Sequence, residues 1–191
     1  MRSFIENSWY TRIAGLRGGG VVENLPVWKS RAASRDVNIP LDVLFPQSKD
    51  LEFVDAGFAL LSCRINDDAV CVLSAPTVHR PKKYTTPEET KEAQFHATLP
   101  YQLFATRMAH YLRWIVQDVS TGLTAEQAQE MLIAKFRGIL AKTDGELSEE
   151  AVMVEVEESE ENPEYYDVIL RIRPPFQILG RGVDLLLGLQ L

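Results

Sequence analysis

Apolar residues along this chain follow two periods. From Phe104 the apolar positions are Phe104, Met108, Tyr111, Leu112, Ile115, Val116 and Val119. Steps of four, three and one are helical. His110 stands two residues from Met108, so it projects away from that stripe. In "TAEQ", Thr124 and Gln127 have the spacing of a capping box. Ala128, Leu132, Phe136, Ile139 and Leu140 then share one face of a second helix running to about Lys142. The two helices read as a hairpin joined at Ser120-Thr121-Gly122. After Asp144 the period falls to two, as in half-buried strands. Val152, Val154 and Val156 alternate with Met153, Glu155 and Glu157. Tyr166, Val168, Leu170 and Ile172 alternate with Asp167, Arg171 and Arg173. Val183, Leu185, Leu187, Leu189 and Leu191 alternate with Asp184, Gly188 and Gln190. The spacing predicts three C-terminal strands.

The first half of the chain is less periodic. A short strand is expected around Val27. "DVNIPLDVLF" (36–45) reads as extended and broken by Pro40. Ser48 is placed to cap a short helix through Asp55, with Gly57 as its stop. The runs "FALLSCR" and "AVCVLSA" flank Ile65-Asn66-Asp67-Asp68, the turn chemistry of a β-hairpin. Pairing symmetric about Asp67 would set Cys63 opposite Cys71. In "TPEE", Thr86 caps a helix, Pro87 suits its first position and Glu89 closes a capping box. That helix is expected to reach Thr98, with Pro100 restarting or kinking it. The expected fold class is α+β: a mixed or antiparallel sheet built partly from the C-terminal strands, packed on a helical hairpin, plus an N-terminal β-hairpin region. The regions are 1–84, 85–143 and 150–191. The abrupt opening "MRSFIENSWYTRI" suggests a piece of a longer chain.

Length and composition fit an ordinary globular domain. A chain of 191 residues buries roughly 70% of its unfolded surface without staples. No apolar run approaches the roughly 20 residues that span a bilayer, so no membrane partner is expected. Two cysteines make neither a disulfide framework nor a zinc site; free thiols and a cytoplasmic setting are expected. The net charge of −7 is local. Eleven acidic residues and no Lys or Arg lie between Asp144 and Asp167, while 16 acids face 20 bases elsewhere. Such a block reads as a solvated loop, or as a face for a cation or basic partner. "EESEENPE" lacks the order of a calcium loop.

Candidate chemistry is sparse. Gly15 and Gly20 have the spacing of a phosphate-binding loop, the basis for an alternative reading as a nucleotide-binding enzyme. However, Val21 and Val22 stand where Lys and Ser/Thr are needed. Gly18 and Gly20 do not open a dinucleotide fingerprint either, because Glu23 and Pro26 follow. Glycines here suit a tight turn in which two backbones approach closely. His79, His96 and His110 lack metal-ligand spacing, and no serine sits in G-x-S-x-G. Accordingly no catalytic residue, cofactor site or metal site is assigned. Arg80, Lys82, Lys83 and Tyr84 form a short basic cluster. It better suits acidic side chains, of this chain or a partner, than nucleic acid.

The last strand is the one feature that suggests function. It is apolar on both faces around Leu186, and only Asp184 and Gln190 would blunt it as an edge. It is either central in this chain's sheet or a template for strand addition between chains. The candidate partner-binding residues are Val183, Leu185, Leu186, Leu187 and Leu189.

Four motifs in order, "GGGVVENLP", "PKKYTTPEE", "LPYQLFATRMAHYL" and "RIRPPFQILG", precede that strand. Together they resemble the C-terminal part of the large subunit of the contractile sheath of type VI secretion systems, from about Trp9 to Leu191. The acidic loop from Glu157 to Glu164 departs from that pattern, and helix 124–142 matches in type more than in residues. The resemblance implies a bacterial structural protein without enzymatic activity. It would pair with a small sheath subunit and neighbouring copies of itself, polymerise around an inner tube protein and contract. It also implies strand exchange at the terminal strands. Contact with the disassembly ATPase is not expected, since the family's element for it lies in the N-terminal part. A related contractile injection machine or phage tail is the nearest alternative.

Overall fold

The structure is a computed structural model that describes residues 13–15, 20–32, 35–117, 124–141, 146–159 and 165–190. The joint at 120–122, Gly18, Gly19, Val119, Leu191 and most of the acidic loop lie outside them. The chain divides into two compact units, 1–103 and 104–191.

The first unit holds a small antiparallel sheet and a separate hairpin. Strands β1 (Val21–Val22), β4 (Leu61–Cys63) and β5 (Val70–Val72) form a sheet in the order β1-β5-β4. Strands β2 (Trp28–Ala32) and β3 (Arg35–Ile39) pair from Trp28↔Ile39 to Ala32↔Arg35. Pro40 ends β3, so the expected extension to residue 45 is not strand. Proline supplies no N–H for a continued ladder.

The β4–β5 register differs from the symmetric expectation by one residue. Ser62 pairs with Cys71, and Cys63 pairs with Val70. A one-residue shift moves a side chain to the other face, so the two free thiols lie on opposite faces. The connection sets this register. Asn66 adopts a left-handed φ of 61°, and Asp67 Oδ1 accepts from Ala69 N–H at 3.2 Å. Asn66 N–H donates to Asn38 O at 2.9 Å, while Asn38 N–H donates to Asn66 Oδ1 at 3.0 Å. The turn is thereby tied to β3.

Helix α1 (Gln47–Asp55) starts one residue before the expected cap: Pro46 is its N-cap, and no side chain caps it. Its end follows the sequence. Gly57 takes φ +90°, Gly57 N–H donates to Val54 O, and Phe58 N–H reaches Phe53 O at 2.9 Å. Those two bonds make a Schellman stop, with the Phe53 and Phe58 rings 6.2 Å apart.

Helix α2 (Pro87–His96) has Thr86 as N-cap and proline at its first position. The Thr86 hydroxyl makes no capping bond, so the expected capping box is not formed. Thr90 ties that turn instead. Its Oγ1 accepts from Tyr84 N–H at 2.9 Å and lies 3.1 Å from Thr86 O. The helix stops at His96, two residues short of Thr98. Thr98 N–H and Oγ1 both donate to Phe95 O.

Helix α3 (Leu99–Gln117) begins around Pro100, where the missing N–H costs nothing. Its Phe104, Met108, Leu112 and Ile115 are buried, as the period requires, and His110 is exposed. The boundary between units falls within this helix.

In the second unit, helix α4 (Ala125–Leu140) carries the full capping box of Thr124 and Gln127. Ala128, Leu132, Phe136 and Leu140 are buried. A 3-10 turn (Glu149–Ala151) leads into β6 (Val152–Glu158), followed by β7 (Tyr166–Ile172) and β8 (Leu185–Gln190). These three form an antiparallel sheet in sequence order. Val152, Val154, Val168, Leu170, Ile172 and Leu185 are buried on its inner face. The whole is α+β, with antiparallel sheets, as the two periods required.

Candidate functional site: the C-terminal strand edge

The site begins with "RIRPPFQILG". Phe176 is buried and packs edge-on against Phe104, centroids 5.7 Å apart. Ile178 and Arg181 exchange N–H···O=C bonds at 2.9 and 3.0 Å. Leu179 and Gly180, with φ of 51° and 76°, occupy the two left-handed positions between them. Positive φ at both central residues is the type I′ requirement. The chain is thus turned back to lay β8 along β7.

β8 is registered from Ile172↔Leu185 to Asp167↔Gln190. The inner positions Leu185, Leu187 and Leu189 pair with Ile172, Leu170 and Val168, and the outer Leu186 is 64% exposed. Val183 is buried but precedes the strand, which starts at Leu185 and not at 183. Asp184, between Val183 and the strand, is held by two arginines. Arg171 Nε donates to Asp184 Oδ1 at 2.8 Å and Arg171 Nη2 to Oδ2 at 2.6 Å. Arg173 Nε donates to Oδ2 at 3.1 Å, and Arg173 Nη1 reaches Glu150 Oε2 at 3.3 Å. This bidentate clamp fixes the entry to β8 and shares one carboxylate between two guanidinium groups. Hydrogen bonds from Arg171 and then Arg173 hold the Asp184 carboxyl below the usual carboxylate range, against the opposing effect of partial burial. At the far end Gln190 Nε2 donates to Ser159 Oγ at 3.3 Å.

The two edges of this sheet differ. β6 has α4 alongside it, and Gln129 Nε2 donates to Val154 O at 2.8 Å. β8 has β7 on one side and, among the described residues, no strand on the other. The two polar residues that could have blunted this edge are both engaged within the chain, Asp184 by arginines and Gln190 by Ser159. Sequence reasoning located the strand but left open whether it was central. Edge position depends on which strands pair, and periodicity does not encode that.

The glycine stretch serves backbone pairing in its described part. Gly15 N–H donates to Val72 O at 2.7 Å, and Val72 N–H donates to Gly20 O at 3.2 Å. A β-carbon on Gly20 would collide with the carbonyl oxygen of Ile13. A shallow hollow of about 430 Å³ nearby is lined by Glu23, Arg64, Asp67, Cys63 and Cys71, among others. Burial pushes both thiols up from their ordinary pKa, most directly against thiolate chemistry. Among the described residues no group of three metal-ligating side chains forms a cation site. No helix among them is long and apolar enough to cross a membrane. Arg80, Lys82 and Lys83 are exposed.

Residues 88–191 match the family described as EvpB/VC_A0108, tail sheath gpW/gp25-like domain. Residues 1–79 match the companion family, EvpB/VC_A0108, tail sheath N-terminal domain. The type VI secretion system sheath protein TssC1 of Pseudomonas aeruginosa is 32% identical over 198 aligned residues, which cover 96% of this chain. The chain spans 39% of the length of that relative. The second family match covers the edge strand, its turn and both helices of the second unit, and on that basis the chain belongs to the VipB/EvpB family of type VI secretion sheath proteins.

Proposed function

We propose that the chain is a structural part of a contractile secretion sheath, without enzymatic activity, and that β8 is its point of strand exchange. The observation that carries this reading is the β8 edge, which among the described residues has no strand beyond it, while at the opposite edge Gln129 of α4 bonds to β6. A strand from the small sheath subunit or from a neighbouring copy would pair with the backbone of Leu185–Gln190. Each added main-chain hydrogen bond contributes about 0.5–1.5 kcal/mol net, so several in a row hold a subunit firmly. Leu186 offers apolar contact on the outer face, while Leu185, Leu187 and Leu189 keep the strand seated on β7. Val183 contributes as a buried anchor before the strand. Such links keep subunits connected while rigid bodies rotate, which is what contraction around an inner tube, on the cytoplasmic side, demands.

Deleting residues 182–191 in the complete sheath protein tests this. Loss of sheaths by electron microscopy is expected, with the small subunit no longer co-purifying. Normal sheaths from the truncated protein would rule the strand-exchange role out.

A further inference from the structure

The outer face of the C-terminal sheet carries Glu155, Glu157 and Asp167, and the solvent side of α3 carries Arg107 and Arg113; among the described residues neither set forms an ion pair. On the sheet, the outward rows are Met153–Arg171–Leu186, Glu155–Ile169–Gly188 and Glu157–Asp167–Gln190. Glu157 and Asp167 are direct cross-strand neighbours of like charge, an arrangement that is unfavourable when left alone. Among the described residues neither they nor Glu155 makes an ion pair. Beside them Ile169 is 44% and Leu186 64% exposed, and a β-carbon at Gly188 would meet nothing within 4 Å. The acidic patch therefore borders an apolar notch.

Helix α3 presents the counterpart. "LPYQLFATRMAHYLRWIVQ" contains no acidic residue. Arg107, His110, Arg113 and Trp114 are exposed, opposite the buried stripe of Phe104, Met108, Leu112 and Ile115. Trp114 is 62% exposed. Arg107 stacks over Tyr111 at 4.6 Å, and neither arginine pairs with a described carboxylate. Tryptophan and arginine together are the residue types that dominate binding energy at protein interfaces. Six helical residues set the arginines about 9 Å apart along the axis and about 120° apart around it, so they flank the solvent face from both sides. Glu155 and Glu157 lie about 7 Å apart along β6, with Asp167 beside them.

We propose that the α3 face of one copy docks on the outer sheet face of a second copy, arginines over Glu155, Glu157 and Asp167, and Trp114 in the notch at Gly188 and Ile169. The two docking faces are different patches of one copy, so the contact can pass head-to-tail from copy to copy, and a heterologous contact that does not close builds an open helical array. This rests on the assembly reading above and adds to it a lateral contact independent of strand pairing.

The test is sedimentation velocity of the chain in low and high salt, with folding checked by circular dichroism. Association of the unsubstituted chain should weaken as salt rises. Arg107→Glu with Arg113→Glu, and separately Glu155→Lys with Glu157→Lys, should each weaken it by about tenfold. An equimolar mixture of the two charge-reversed chains should recover association, and Trp114→Ala should weaken it without changing the salt slope. A chain monomeric in low salt up to its solubility limit overturns the proposal. So does association untouched by either reversal, or a mixture that fails to recover. The charge reversals leave residues 182–191, and with them the β8 edge, unchanged, whereas removing 182–191 takes away Gly188 of the notch. Failure of strand exchange and failure of this contact therefore give separate results.

Discussion

Replacing Gly20 with alanine tests the argument that the glycine stretch serves backbone approach. Ile13 O lies where a β-carbon of residue 20 would stand, and a backbone oxygen cannot swing aside as a side-chain end can. Both sides of that approach are held to β5, by Gly15 N–H to Val72 O and by Val72 N–H to Gly20 O. Separating the two backbones breaks at least one of these bonds. The loss is about 1 kcal/mol for the bond, plus about 1–3 kcal/mol if a part-buried group is left without a partner. Gly20→Ala should therefore destabilise the first unit by about 2–4 kcal/mol. Gly15 makes a sharp contrast. Its φ of +89° is hostile to a side chain, yet a β-carbon there would meet nothing within 4 Å. Gly15→Ala should cost only the conformational term, roughly 1–2 kcal/mol, and Gly15→Asn less because asparagine tolerates left-handed backbone. Urea titration gives the energies, and amide exchange of Val72 gives the local readout. The reasoning fails if Gly20→Ala stays within about 0.5 kcal/mol of the parent with Val72 still protected. It also fails if Gly20→Asn is much milder than Gly20→Ala, since neither side chain escapes the clash.

The two threonine caps should separate cleanly in thermal melts. Thr124→Ala should cost about 1 kcal/mol because its hydroxyl accepts from Gln127 N–H, whereas Thr86→Ala should cost far less because its hydroxyl makes no capping bond. Phe136→Ala should cost about 3–5 kcal/mol by urea titration, since the side chain is fully buried; a loss below 1 kcal/mol, roughly a surface effect, would mean the α4 stripe is not core. Asp184 should give acid sensitivity. Its folded pKa is lowered, so its contribution is present above the unfolded value of about 3.9 and is lost as pH falls through the folded one. Melting temperatures of the parent and Asp184→Asn should differ at neutral pH and converge in acid, and a difference that grows in acid would contradict the clamp. Cys63 and Cys71 should remain separate thiols under mild oxidation, with unchanged mobility on a non-reducing gel, because they occupy opposite faces.

Much of the fold is legible in particular residues. The steps of Phe104, Met108, Leu112 and Ile115 specify a buried helical stripe without any knowledge of what covers it. The same holds for Ala128, Leu132, Phe136 and Leu140, and Thr124 with Gln127 marks where that helix starts. Alternation at 152–156, 166–172 and 183–191 specifies three strands and which side faces the core, although the last strand begins only at Leu185. These features are local, since each depends on residues within a few positions of one another. The four ordered motifs also sufficed to point to the family.

Other features were decided by partners distant in sequence. The hydroxyl of Thr86 is ready to cap α2, but Thr90 and Tyr84 hold that turn in another way. The Cys63–Cys71 register depends on Asn66 bonding to Asn38, 28 residues away. Where the last strand starts, at Leu185 and not at Val183, depends on its pairing with Ile172 of the neighbouring strand. Periodicity shows that residues 185–190 form a strand, but not which strand lies beside it. Only the pairing order β6-β7-β8, with Gln129 of α4 at the other edge, left β8 on the outside. A hydrogen-bonding edge is a property of neighbours in space, and the chain's own local pattern carries no record of them.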